Sequence, residues 1–237
     1  MKFTPLIALL CAATPVVATP TVVVEKGKLA EAVWAFPSIV SPRRGDLAEN
    51  AKLSLAEGSL DSKSAPLAEF ANGTVSSRGD DSTQAAFISH QELKGGCLLM
   101  DLGAVTAVTQ LNTYSFHEYP ADGGARGPQV YTVYGSADAN PGIADAAKWT
   151  KIADVDTRPN KTGEGWGGMH GAQIADNGKL LGNFRHLRWD FQPTDSPRAS
   201  SPRRTHTFFT EIDVHGPNTL EDAQPAQVAS AGVGVDR

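Results

Sequence analysis

The stretch Arg126-Gly-Pro-Gln-Val-Tyr-Thr-Val-Tyr-Gly-Ser136 carries the clearest strand pattern of the chain. Tyr131 and Val133 share one face of an extended segment, and a Gly-Ser pair closes it. Two other segments alternate in the same way, Leu98 to Gly103 before it and Phe209 to Gly216 after it. Strands of this kind have one apolar face, so they predict a second sheet that covers it.

Further strand and turn signals extend the pattern in both directions. In Phe184 to Phe191, the residues Leu187, Trp189 and Phe191 face one way and the polar residues between them face the other, which predicts a half-solvated antiparallel strand with its Trp in the core. Turn signals recur from residue 51 to 216 at Asn72-Gly73, Gly95-Gly96, Asp122 to Gly124, Asn140 to Gly142 and Asn177-Gly178. This spacing is typical of an all-β sandwich and leaves no room for repeated crossover helices.

Size, charge and cysteine content set the class of protein. A chain of 237 residues, 41% of them hydrophobic, can bury one sizeable core, so we expect one domain with flexible terminal segments. The net charge is -5 with acids and bases interleaved, which argues against a nucleic-acid partner. Outside the first 18 residues Cys97 is the only cysteine, so no internal disulfide is possible there. Its position before an apolar strand predicts a buried, inert thiol.

The sequence divides into four parts. Lys2, an apolar run and the small residues up to Ala18 predict a cleaved export signal over residues 1–18, hence a secreted, periplasmic or cell-surface protein with no transmembrane segment. A membrane anchor is the alternative, but prolines interrupt the run. Residues 19–50 are expected to pack on the domain as an edge strand or a short helix, and residues 51–216 to form the sandwich. Residues 217–237 lack periodicity, which predicts a disordered tail.

Taken in order, pieces of residues 51–216 resemble the discoidin domain, also called the coagulation-factor type C domain, a galactose-binding-like jelly roll related to carbohydrate-binding modules. The pieces are Leu67 to Gly73, Met100 to Gly103, Tyr131 to Ser136, Trp149 leading into Ile152-Ala153, Phe184 to Arg188 and Glu211 to Gly216. The longer segments Tyr114 to Gln129 and Asp138 to Ala147 would be loop insertions. The resemblance implies two overlapping sheets with a ligand surface made of loops at one end. Members commonly bind sugars, some bind lipid headgroups or proteins, and they are usually not catalysts.

The resemblance also implies a structural Ca²⁺ site. The matching positions are Asn72, Thr74 and Ser77 of the turn, with Glu211 at the start of the last strand. Ca²⁺ takes six to eight oxygen ligands, so carbonyl and carboxylate donors from two chain segments suit it. An Asp of the family's turn is Asn72 here, which removes one negative charge, and the Trp that often follows the Thr is Gly79. The alternative is an ordinary Asn-Gly turn with Glu211 in a hydrogen bond.

A ligand surface is the second site that the resemblance implies. Sugar-binding relatives use a His, a following Arg and an aromatic residue before the last strand, which match His117, Arg126 and Phe208. Rings stack on sugar C–H groups while polar side chains read the hydroxyls. The same or neighbouring loops add Glu118, Tyr119, Trp166 and His170 to the predicted set. The alternative is that Tyr119 packs on the end of the sandwich and Arg126 forms a surface ion pair.

We therefore expect a secreted, non-catalytic module that recognises a carbohydrate through loops at one end of a β-sandwich, as a monomer. One alternative is a structural or adhesion protein of the cell envelope that binds protein partners, and the other is a small glycan-active enzyme. The sequence has no HExxH, Gly-x-Ser-x-Gly or phosphate-loop motif. Glu118 and Glu164 could serve a glycosidase, but the sequence does not give the distance between them.

Overall fold

The computed structural model describes residues 19–27, 34–60, 64–75, 87–89, 95–117, 127, 130–157, 168–195, 203–204, 206–222, 224–225 and 227–228. The export signal predicted over residues 1–18 lies outside the described residues. The strands are β1 (Thr21–Lys26), β2 (Arg43–Arg44), β3 (Lys52–Glu57), β4 (Ser59–Leu60), β5 (Thr74–Val75), β6 (Phe87–Ser89), β7 (Gly96–Val108), β8 (Gln110–His117), β9 (Val130–Ser136), β10 (Thr150–Asp156), β11 (Gly168–Ala175), β12 (Gly182–Phe191), β13 (Thr194–Asp195), β14 (Arg203–Arg204), β15 (His206–Phe208), β16 (Glu211–His215), β17 (Gln224–Pro225) and β18 (Gln227–Val228). Two 3₁₀ helices span Leu67–Ala71 and Ala146–Lys148, and α1 spans Thr219–Asp222. Within the described ranges no helix has the length and apolar character needed to cross a membrane.

Two antiparallel sheets make up the body of the domain. The four-stranded sheet has the order β1-β11-β8-β16, and the five-stranded sheet has the order β10-β9-β12-β7-β3. The chain passes from one sheet to the other between β7 and β8, between β8 and β9, between β10 and β11, and between β11 and β12. Such crossing connections are what a jelly-roll sandwich requires. The prediction of an all-β sandwich is confirmed.

The core fills the space between the two sheets, as the alternation of the strands predicts. Leu98, Met100, Leu187 and Trp189 are fully buried, at 0% exposure. The core also contains Tyr131 and Val133 of β9, Phe191 of β12, and Ile212 and Val214 of β16. The Trp of β12 therefore belongs to the core and is not a ligand platform.

Aromatic rings fill the core next to β9 and β12. A Cβ on Gly135 would lie 2.4 Å from the ring of Phe184, so the glycine makes room for that ring. Phe209 lies next to both a 3₁₀ helix and β12, with ring centroids 5.5 Å from Phe70 and 5.3 Å from Phe191. Tilted and edge-on contacts of this kind add to the free energy of burial.

The segment before residue 51 packs on the domain. Strand β1 pairs with β11 at the edge of the four-stranded sheet, which is one of the two structures expected for this segment. Trp34 and Ile39 form a second, smaller cluster with Tyr114 on the outer face of the same sheet. The Tyr114 hydroxyl donates a hydrogen bond to the carbonyl of Val40, at 2.5 Å. Residues 34–48 thus cover that face.

Part of the segment after residue 216 is paired with the rest of the chain. Strand β17 pairs with β2, and β18 pairs in parallel with β5. The backbone N–H of Gln227 donates to the carbonyl of Gly73 at 2.8 Å. Over residues 224–225 and 227–228 the structure differs from the prediction of a disordered tail, because their backbone groups find partners near the Asn72-Gly73 turn.

The free cysteine gives a chemical test of the packing. Cys97 is 2% exposed, and burial, together with the nearby Asp190, raises the pKa of its thiol to about 12. A buried, protonated thiol is a poor nucleophile. We expect a chain that begins at Thr19 to react with Ellman's reagent at about pH 8 only after unfolding in denaturant, with Cys97→Ser as the blank. If the native protein released one equivalent of the thionitrobenzoate anion within minutes, the result would contradict the described packing.

Candidate functional site

The strand directions bring the strand ends that border the predicted ligand-binding segments to one end of the sandwich. Because neighbouring strands alternate in direction, β8, β10 and β12 all end there. Strand β8 ends at His117 and β9 begins at Val130, so residues 118–129 connect strands of different sheets at this end. Gly168, the first residue of β11, pairs with His117. We call this end of the sandwich the loop end.

The described strands contain three of the seven predicted ligand-binding residues. The other four, Glu118, Tyr119, Arg126 and Trp166, lie outside the described residues. His117 is the last residue of β8, and Phe208 ends β15 with 9% exposure. His170 is 2% exposed on the side of β11 that carries the core residues Ala172 and Ile174. For His170 the structure differs from the prediction, because a ring inside the sandwich is not open to a ligand.

The predicted metal-binding turn contacts β16 at Glu211. The backbone N–H of Gly73 donates to Oε1 of Glu211 at 3.1 Å, which joins residues 138 positions apart. Oδ1 of Asn72 accepts from the N–H of Thr74 at 2.8 Å, and the Asn72 amide donates to Glu69 at 2.7 Å. The resemblance therefore correctly brings the turn and Glu211 together. Ser77, the remaining predicted ligand, lies outside the described residues.

A glycine is required in this turn. Gly73 has a φ of +68°, in the left-handed region that L side chains rarely adopt. A Cβ at this position would lie 2.3 Å from Cβ of Arg44, in strand β2. The turn is thus held between β2 on one side and Glu211 on the other.

Three carboxyl groups are buried on the outer face of the four-stranded sheet. Glu211 and Asp213 are 0% exposed, and Asp46 is 8% exposed. Burial raises the pKa of Glu211 and of Asp213 well above the usual range, and raises the pKa of Asp46 to about 7. Asp213 accepts from the backbone N–H of Arg43 at 2.9 Å, and Asp46 accepts from that of Ala48 at 2.5 Å. Besides burial, the charge of the nearby Asp46 also raises the pKa of Asp213.

The surroundings of Glu211 fit a hard cation such as Ca²⁺. Its Oε1 is bonded to Gly73, but its Oε2 is buried and has no hydrogen-bond partner among the described residues. A buried carboxylate oxygen in this state is costly unless a proton or a cation neutralises it. The described part of the chain has no group of three or more His, Cys, Asp or Glu side chains arranged as metal ligands. Carbonyl and amide oxygens of the turn would therefore supply most ligands, as Ca²⁺ allows.

The sequence predictions missed Asp46 and Asp213. A signal for Asp213 exists, because Glu211, Asp213 and His215 alternate with the two core residues of β16 and so share one face. Asp46 has no such signal, since it comes from a segment without periodicity. Its position next to Asp213 follows only from how residues 34–48 pack.

Comparison with known proteins bears on the fold. No protein-family model matches the chain, and no curated protein matches it. Among solved structures, a SusE-like protein is similar at 16% identity, over 72% of this chain and 99% of that one, with a TM-score of 0.51. CpGH89CBM32-5 from Clostridium perfringens, in complex with GalNAc-β-1,3-galactose, is similar at 13% identity, over 73% and 100% of the two chains, with a TM-score of 0.43. The lectin domain of lectinolysin complexed with Lewis B antigen is similar at 15% identity, over 72% and 96%, with a TM-score of 0.45. The likeness to the SusE-like structure bears on the fold alone, and the sandwich agrees with the jelly roll that the resemblance to the discoidin domain implies.

Proposed function

We propose that this chain is an exported, non-catalytic module that binds a carbohydrate at the loop end of its sandwich. The proposal rests on one observation. The strands that border residues 118–129 and residues 158–167 all begin or end at the loop end. Binding residues commonly lie on loops that a rigid scaffold positions. These two segments contain Tyr119, Arg126 and Trp166, which are the ring and guanidinium groups that sugar recognition uses. Export rests on the charge, apolar run and small residues of positions 1–18.

The proposal is tested by screening the chain from Thr19 onward on a glycan array, followed by titration of the best ligand. We expect binding to at least one sugar. The variants Arg126→Ala and His117→Ala are expected to weaken it by about tenfold or more, because each removes a polar or charged hydrogen-bonding group from the ligand.

Lys179→Ala is the matched control for Arg126→Ala. Lys179 is exposed and lies in the turn between β11 and β12, at the opposite end of the sandwich, so its loss removes one positive charge without touching the loop end. A folded chain that binds no glycan would refute the carbohydrate proposal and favour the structural or adhesion role. Release of reducing ends from polysaccharides would favour the glycan-active enzyme.

We further propose that the loop end is steadied by one structural Ca²⁺, held by Asn72, Thr74, Ser77 and Glu211. The contact between the turn and Glu211, and the buried Oε2 of that side chain, support this assignment. The ion would supply the positive charge that the described residues around Oε2 do not, and would fix the turn to β16. Its role is in stability and not in catalysis.

Calcium dependence of the melting temperature tests this site. At about a hundredfold excess over its Kd, Ca²⁺ is expected to raise the melting temperature of the chelator-treated chain by roughly 5–10 °C. Glu211→Gln is expected to abolish that rise. In chelator the same variant should melt near the wild-type temperature, because the raised pKa of Glu211 leaves its side chain uncharged without the ion, as the amide is.

Glu221→Gln is the matched control, since Glu221 is exposed in α1 and its loss should leave the calcium effect intact. Equal melting temperatures of the wild-type chain in calcium and in chelator would rule out the ion.

A further inference from the structure

A cleft of about 450 Å³ lies on the outer face of the five-stranded sheet. Its floor is formed by Lys52 and Ser54 of β3, Leu99 and Asp101 of β7, and His186 of β12. Its wall is formed by Asn140 to Gly142 and by Trp149. This volume falls within the range of about 300–1,000 Å³ that is usual for small-molecule sites.

The cleft is separate from the loop end. Gly96 pairs with Phe191 where β7 begins and β12 ends, which is the loop end of this sheet. Asp101 lies five residues further along β7, a distance of about 17 Å at the rise of an extended strand. The segment that forms the wall leaves β9 at Ser136, at the opposite end of the sandwich.

The wall of the cleft is held in place before any ligand arrives. Three hydrogen bonds fix it to the sheet or to itself: the Trp149 indole N–H donates to the carbonyl of Gly142 at 3.1 Å, Arg188 donates to that of Ile143 at 2.8 Å, and Nδ1 of His186 lies 3.0 Å from that of Asp138. The guanidinium of Arg188 also lies 5.3 Å from the ring centroid of Tyr134 and 5.5 Å from that of Trp149. Because the wall is already ordered, ligand binding costs little further conformational entropy there.

The charges of the cleft leave one cation available. Arg185 binds Asp101 through two hydrogen bonds, from Nε to Oδ1 at 2.9 Å and from a terminal nitrogen to Oδ2 at 3.1 Å, so these two charges compensate each other. Lys52 is opposite Asp101 in the strand register, yet it forms no ion pair with any residue that the structure describes. Its exposed ammonium group is therefore free to meet an anionic group of a ligand.

The remaining polar groups suit hydroxyls. Both ring nitrogens of His186 face protein groups, because Nδ1 lies 3.0 Å from the carbonyl of Asp138 and Nε2 lies 3.6 Å from Oδ2 of Asp101. The side chains of Ser54 and Asn140, by contrast, have no hydrogen-bond partner within the described ranges. The cleft thus offers one cation, one aromatic side chain and two hydroxyl-binding side chains within a single rigid site.

We propose that this cleft is a second ligand site, which takes a sugar unit that carries a carboxylate. Lys52 binds the carboxylate, and Ser54 and Asn140 bind ring hydroxyls. Trp149 borders the cleft and contacts the C–H groups of the sugar. The site does not depend on the carbohydrate proposal for the loop end, since it shares no residue with it.

The test is an NMR titration of the ¹⁵N-labelled chain from Thr19 onward with sodium glucuronate, with glucose and with sodium acetate, each alone. Glucuronate is expected to bind more tightly than glucose or acetate and to shift amide signals of Lys52 to Ser54 and of Asn140 to Gly142. Lys52→Gln is expected to weaken glucuronate binding about tenfold and to leave glucose unaffected. Lys179→Gln removes the same charge elsewhere and should leave both affinities unchanged.

Two further variants separate the cleft from the loop end. Asn140→Ala, on the wall, is expected to weaken glucuronate binding, whereas His117→Ala and Arg126→Ala are expected to leave it unchanged. Equal affinity for glucuronate and glucose, or wild-type affinity in Lys52→Gln, would overturn the proposal. So would loss of glucuronate binding in the two loop-end variants, which would assign the sugar acid to that end.

Discussion

Every side chain of β16, from Glu211 to His215, is buried, so this strand has no face in water. Its two aliphatic residues enter the core, while Glu211, Asp213 and His215 lie on the opposite face. Burying carboxyl groups is unfavourable unless hydrogen bonds, protons or cations compensate them. The compensating groups come from far away in the sequence, since Arg43 is 170 residues from Asp213 and Gly73 is 138 residues from Glu211. The outer cover of the sheet is therefore as necessary to the fold as the core.

This requirement explains why the N-terminal segment belongs to the domain. Residues 34–48 place Trp34 and Ile39 against Tyr114, and bring backbone N–H groups to the acids. A domain cut at residue 51 would lose β1 from the four-stranded sheet and expose β16 on one side. The exposed acids would regain water, but the aromatic cluster would lose its burial, at a cost of about 1.5–3 kcal/mol for each large apolar side chain. The folding unit therefore begins before the region that resembles the discoidin domain.

The strands could be predicted from the sequence because the alternation of apolar residues is a local property. Tyr131, Val133, Leu187 and Trp189 are in the core for the reason that their spacing indicates. The contact of the Asn72-Gly73 turn with Glu211 came only from the family resemblance, since nothing local joins residues so far apart. His170 was misplaced because it was predicted to lie in a loop, whereas it lies in β11 on the face that points between the two sheets. The pairing of Asp46 with Asp213 is a tertiary contact with no periodic signal at all.

Two segments are longer than their counterparts in the discoidin domain, and they extend from strands that end at opposite ends of the sandwich. The first, Tyr114 to Gln129, begins inside β8, which ends at the loop end, whereas the second follows β9 and folds back over the outer face of the five-stranded sheet. A strand that contributes to the core cannot change its inward residues without loss of packing, but a connection can lengthen at small entropic cost. The outward residues of the same strands are free of the core as well, which is why His186 and Arg188 can hold the second segment. In this chain, chemical groups for recognition can therefore be added in two places without disturbing the core between the sheets.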